Sequence, residues 1–133
     1  CDSELAVPVG YDEKSLAAAC ADEGIIVSTA DDVCVRVGHY AADKLFQAGI
    51  DRVRLVINRF NKRKTIQGHY LNIDEVIDAT YLQLLGVVPE DIKLSYCSVS
   101  GMQNLENSKA KNAFHRIAKR LEGINVSLEV REI

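Results

Sequence analysis

The chain has 133 residues and a formal net charge of −3 at pH 7, a length that supports one domain with a core just large enough to fold alone. Hydrophobic residues make up 47% and charged residues 26%, which excludes intrinsic disorder. The acidic balance gives no electrostatic basis for a nucleic-acid surface, and no run approaches the roughly 20 apolar residues that cross a bilayer.

Taken in chain order, residues 12–22 (DEKSLAAACAD) are rich in Ala and read as a helix. Gly24 to Ser28 is a short apolar run with β-branched residues, the pattern of a buried strand. A helix is predicted from Asp32 to Gln47, with Asp31 or Asp32 as N-cap and Gly49 as its stop. Residues 52–58 (RVRLVIN) read as a second strand, and residues 60–71 as a polar loop. Asn72 caps a helix over 73–79, with Glu75 placed for a capping box. Residues 84–88 form a third apolar strand, ended by Pro89-Glu90-Asp91. The last helix runs from Ser108 to Glu122, with Ala110, Ala113, Phe114, Ile117, Ala118 and Leu121 at 3–4 spacing and Gly123 as its stop. The tail 124–133 alternates apolar and polar residues at period 2 and reads as an edge strand rather than a membrane helix. Short apolar strands alternating with helices predict a three-layer α/β fold, a mostly parallel sheet flanked by helices, with residues 1–133 as a single domain.

Four cysteines at 1, 20, 34 and 97 lack the close pairing of a structural zinc site and read as small apolar residues kept reduced, so a cytoplasmic location is expected. There is no signal peptide, and a start at Cys1 without Met reads as a fragment or processed product. His39, His69 and His115 are isolated from any ligand or catalytic pattern. Ser98 and Ser100 form no nucleophile elbow. Tyr40, Phe46 and Phe60 are expected in the core or at a pocket edge. The short basic run Arg59 to Lys64 reads as a solvated loop.

In parallel sheets, ligands gather at the carboxyl ends of the strands. Here those ends read Ser28-Thr29-Ala30-Asp31-Asp32, Asn58-Arg59-Phe60 and Pro89-Glu90-Asp91. Asn58 offers an amide with donors and an acceptor, suited to a purine edge. Arg59 can stack on a base or pair with a carboxylate. Pro89 has no N–H, so its surroundings present carbonyls and an apolar ring. The plainer readings stand beside these: Asn after a strand is often a turn residue, and Pro-Glu-Asp often leads into a helix.

The ordered combination is more specific than its parts. The runs AACADEGIIVSTADDVCVR (18–36), RVRLVINRF (52–60) and IDEVIDATYLQLLGVVPED (73–91), with Ser100-Gly101 and AKNAFHRIAKRLEG (110–123), resemble the C-terminal half of MinD- and ParA-like P-loop ATPases. The resemblance covers residues 18–123, and Cys1-Asp2-Ser3 is similar to the family's Asp-Ser-Pro-Ala-Gly segment. It implies ATP or ADP with magnesium as cofactor, an ATP-dependent dimer, and a role in division-site placement or partitioning. Asn58 would contact the adenine, with Arg59 beside it, and Pro89, Glu90 and Asp91 would line the base pocket. Asp31 stands where the family places an acid that holds its signature lysine. Asp2 stands where the family has a catalytic acid near the magnesium and the attacking water. The implied partners are a second copy or a missing N-terminal half, and other division or partitioning proteins.

The departures are as specific. No G-x-x-x-x-G-K-S/T motif occurs in these 133 residues, so the phosphate cradle, its lysine and the magnesium hydroxyl are not supplied by them. Glu4-Leu5-Ala6 replaces the family's Pro-Ala-Gly. Val37 replaces the acid after Val-Arg, and Gly38 is expected to interrupt the start of that helix. The chain alone is therefore expected not to hydrolyse ATP. The alternative is a degenerate, non-catalytic α/β module acting by protein contact. A third reading, an unrelated flavodoxin-like regulator, lacks the clustered acids a receiver requires.

Overall fold

The computed structural model describes residues 20–94 and 106–128. Three runs that the apolar pattern marks as strands pair in the order β1-β2-β3: β1 (Gly24–Ser28), β2 (Val53–Phe60) and β3 (Gln83–Pro89). Both pairings are parallel, with Ile26 opposite Leu55 and Ile57 opposite Val87. β2 lies in the middle and is buried from Val53 through Ile57, which accounts for its near-continuous apolar run.

Helices cover both faces, as the three-layer expectation required. On one side lie α1 (Asp32–Gln47) and α3 (Ile73–Thr80), separated in sequence by the one-turn α2 (Lys62–Ile66). Val35, Leu45 and Val76 pack there on Ile26, Leu55, Ile57 and Val87. On the other side α4 (Lys109–Leu121) sets Ala110, Ala113 and Ile117 against Val56, Leu85 and Val88. Each fully buried Leu or Ile contributes about 1.5–3 kcal/mol, so these two clusters carry the fold. α4 sits close because β3 has Gly86 beneath it: a Cβ there would stand 2.4 Å from Ile117 Cγ1.

Asp31 and Asn72 cap their helices as predicted, and Ser108, expected only as the start of the last helix, is its N-cap. Asp31 accepts from the Cys34 N–H at 2.9 Å. Asn72 and Glu75 close a capping box with two bonds of 2.8 Å. Ser108 accepts from the Lys111 N–H at 3.2 Å. Gly49 and Gly123 take the positive φ that ends a helix.

Several expectations are corrected. α1 runs unbroken through Gly38, which is buried against Ile26 and Ser28, so this glycine serves packing rather than interruption. The loop expected over 60–71 contains α2, because the side chain of Asn61 accepts from the N–H groups of Arg63 and Lys64. β2 also extends to Phe60, whose partner is Pro89. Phe60 is buried, but Tyr40 is 63% and Phe46 44% exposed. Phe114 is half exposed as well, leaving the buried stripe of α4 to Ala110, Ala113 and Ile117. Cys34 is disulfide-bonded rather than reduced. Residues 124–128 form no strand ladder. Their backbone is held by the side chain of Arg120, which donates to the carbonyls of Val126 at 3.0 Å and Ser127 at 3.1 Å. The helix expected over 12–22 lies outside the described residues up to its last three positions, and the end of the tail, 129–133, lies outside them too.

At the amino end of β2, buried Arg54 donates from Nε to Glu23 at 2.5 Å. Its Nη2 is buried without a hydrogen-bond partner. Among the described residues no helix is long and apolar enough to cross a membrane.

Candidate functional site

Parallel pairing brings the carboxyl ends of β2 and β3 side by side, and there the chain leaves a cavity of about 930 Å³. Asn58, Arg59, Pro89, Glu90 and Asp91 all line it, so five residues singled out from two distant segments share one site. Its size suits a nucleotide or similar small molecule, for which pockets run to about 300–1,000 Å³. Asp31 lies apart, in a neighbouring hollow of about 340 Å³ at the end of β1. Arg59 and Glu90 line both spaces and so form the boundary between them. Asp2 lies outside the described residues.

Each side chain is fixed by a local interaction. The Asn58 side-chain oxygen accepts from the Arg59 N–H at 3.0 Å, which engages the oxygen and leaves the amide NH2 as the donor end of this side chain. Arg59 holds φ at 53°, the left-handed region, and Asn107 on the opposite wall holds 61°. Non-glycine residues seldom adopt that conformation, and such departures gather at functional sites. Glu90 is exposed, and its carboxylate accepts from Asn61 Nδ2 at 2.6 Å.

Asp91 is spent on architecture. One oxygen accepts from the Ser108 hydroxyl at 2.5 Å, and the other accepts from the Lys93 N–H at 2.9 Å. The Ser108 bond, opposed by burial and helped by the N–H groups of Lys93 and Ala110, holds this carboxyl below the usual carboxylate range. Asp31 is similarly committed. Burial pushes its carboxyl up, but the hydroxyl of Thr29 and the Cys34 N–H outweigh that and leave it lowered.

Five lining residues escaped the sequence reading: Ile92, Lys93, Leu94, Asn107 and Lys109. Lys109 is the first residue of α4 and Asn107 precedes its cap, so both reach the site only because Asp91 draws that helix terminus in. The cap Ser108 was the available signal; its partner at residue 91 was not. With Arg59, these lysines place three cations around the cavity against the carboxylates of Glu90 and Asp91. The set can hold a ligand by amide hydrogen bonds, guanidinium stacking and charge. Among the described residues no group of three or more His, Cys, Asp or Glu is placed to hold a metal ion.

No family model matches the chain. The septum site-determining protein MinD of Bacillus subtilis is 31% identical over 134 residues, which span 98% of this chain and 49% of that protein. The structure of the MinC:MinD cell division protein complex of Aquifex aeolicus superposes with a TM-score of 0.81 at 20% identity, covering 91% of this chain and 50% of that one. The septum site-determining protein MinD of Pyrococcus horikoshii, in complex with Mg-ADP, gives 0.66 at 21% identity over 77% of this chain and 42% of that one. The chain thus spans about half the length of the curated relatives it matches. With the ordered strand-end motifs on a parallel α/β fold, these findings support a relationship to MinD-type P-loop ATPases over about half of their length.

Proposed function

We infer that this chain supplies the base-binding side of a MinD-type nucleotide site. The observation that carries this reading is the convergence of Asn58 and Pro89 to Asp91 on one cavity at the ends of β2 and β3. Asn58 donates its amide hydrogens to a ring nitrogen of the adenine of ATP or ADP. Arg59 lies over the base, Pro89 and Glu90 line its edge, and Asp91 positions the wall by anchoring α4. By the family resemblance, Asp31 would meet a lysine at the dimer contact, and Asp2 would be the acid near the magnesium and the attacking water. A magnesium ion would be held through the phosphates of the nucleotide, and the cradle for those phosphates is not encoded in these 133 residues. Without that cradle the chain does not hydrolyse ATP by itself, because phosphoryl transfer rests on positioning and neutralising the phosphates. The process is division-site placement. The partners are an ATP-dependent second copy, the phosphate-binding half and a MinC-like division protein. The named complex of the Aquifex relative supports the last of these.

Isothermal calorimetry with ATP and Mg²⁺ tests the reading on the chain and its Asn58→Ala variant. Saturable binding weakened about tenfold or more in the variant, the effect of a lost hydrogen bond in a buried site, is expected. No heat in either protein sinks the nucleotide site and leaves a non-catalytic protein-contact module.

A further inference from the structure

Asn61 lies in the basic run Arg59 to Lys64, between the end of β2 and the first turn of α2. Its side-chain oxygen accepts from the N–H groups of Arg63 at 3.0 Å and Lys64 at 3.4 Å, which caps α2. The nitrogen of the same amide donates to one carboxylate oxygen of Glu90 at 2.6 Å, 29 positions away. An asparagine amide has an acceptor end and a donor end, and here each end has its own partner.

Glu90 is thereby held at both backbone and side chain. Its N–H donates to the Phe60 carbonyl at 2.9 Å, beside the ladder pair of Phe60 with Pro89. Its carboxylate is held by Asn61, and among the described residues the second oxygen of that carboxylate accepts no hydrogen bond. An exposed glutamate loses rotamer freedom when a ligand fixes it, and a neighbour that fixes it beforehand removes part of that loss. Glu90 lines both the large cavity and the Asp31 hollow, whereas Asn61 lines neither. Asn61 therefore reaches the site only through Glu90.

We propose that Asn61 is a positioning residue of the base site, holding Glu90 so that its open carboxylate oxygen accepts from the exocyclic amine of the base. This deepens the adenine reading of the cavity and rests on it. Asn58 offers a donor and Glu90 an acceptor, which match the ring nitrogen and the amine of an aminopurine. An oxopurine such as hypoxanthine inverts both groups and leaves them unpaired, so it is disfavoured. Selectivity for the amine depends on Glu90 staying where Asn61 holds it.

Calorimetric titration of the chain with ATP and with inosine triphosphate, each with Mg²⁺, tests this. Asn61→Asp keeps the oxygen that caps α2 and turns the donor facing Glu90 into an acceptor. It is expected to keep the wild-type circular-dichroism spectrum, to bind ATP about tenfold more weakly and to lose most of its preference over inosine triphosphate. Adding Glu90→Gln lets the introduced amide donate to the introduced carboxylate and leaves an oxygen for the base. The double variant is therefore expected to return to within about threefold of the wild-type affinity. If Asn61→Asp loses its fold, Asn61→Ser decides the matter, since it removes the donor without adding charge. Wild-type ATP affinity in the single variant overturns the proposal, as does a weakened Asn61→Asp that Glu90→Gln leaves unrestored. A wild-type chain that binds no ATP is a separate result: it removes the base site itself, and this role of Asn61 with it.

Discussion

The Ser108 hydroxyl donates to the Asp91 carboxylate at 2.5 Å across 17 positions of sequence, and this bond carries the N-terminus of α4 to the end of β3. Ser108 also caps that helix through the Lys111 N–H. The Ser108→Ala variant therefore loses both a cap and the partner of a carboxylate. A decrease of about 1–2 kcal/mol in unfolding free energy is expected from urea titration.

The same pair sets a pH dependence. The Asp91 carboxyl is lowered below its usual value of 3.8, chiefly by the Ser108 bond. A depressed carboxylate stabilises the fold fully above the unfolded pKa and loses that contribution as pH falls through the lower folded value. Stability should therefore decline on acidification below about pH 4, and less steeply in Asp91→Asn than in the wild type. Identical acid profiles for the two proteins would remove Asp91 as a contributor.

Arg59 separates strain from binding. At φ 53° a glycine is relieved of a steric cost of about 1 kcal/mol, so Arg59→Gly should melt at or above the wild-type temperature. If its guanidinium lies over a base, the same variant should bind ATP more weakly. A variant that is more stable and binds equally well would assign Arg59 to the turn alone.

Glu23 and Arg54 form the buried ion pair at the other end of the sheet, with Arg52 at 3.8 Å as an outer neighbour. Glu23→Ala leaves the Arg54 guanidinium buried and unpaired, beside an Nη2 that already lacks a partner. Removing one member of a fully buried pair costs about 3–5 kcal/mol. Glu23 keeps 24% of its side-chain surface exposed, so a loss nearer to about 2 kcal/mol is expected by thermal or denaturant unfolding.

Gly86 is the last check on packing. A methyl group there meets Ile117 at 2.4 Å, and overpacking of this kind costs about 1–3 kcal/mol. The double change Gly86→Ala with Ile117→Ala should cost less than the sum of the two single changes, since it removes both Cγ1 and the Cδ1 that stands at 2.9 Å.

Much of this protein was legible before any coordinates. The runs at 53–58 and 84–88 are mostly apolar because strands between two helical layers meet little water on either face, while in β1 alternate residues Ile25 and Val27 stay about 40% exposed. Asp31, Asn72 and Ser108 marked helix starts because a side-chain oxygen there satisfies an otherwise orphaned N–H, which is a local requirement. Asn58, Pro89 and Asp91 stood out because each closes an apolar run, and ligands collect at such ends. The tertiary structure decided what lies far apart in sequence. It bound Asp91 to Ser108, brought Lys109 to the cavity wall, gave Gly38 a packing role, and let Arg120 replace the ladder expected of the tail. A short-range pattern records which groups want burial or a partner. Which partner they meet depends on how the layers stack, and only the folded chain holds that information.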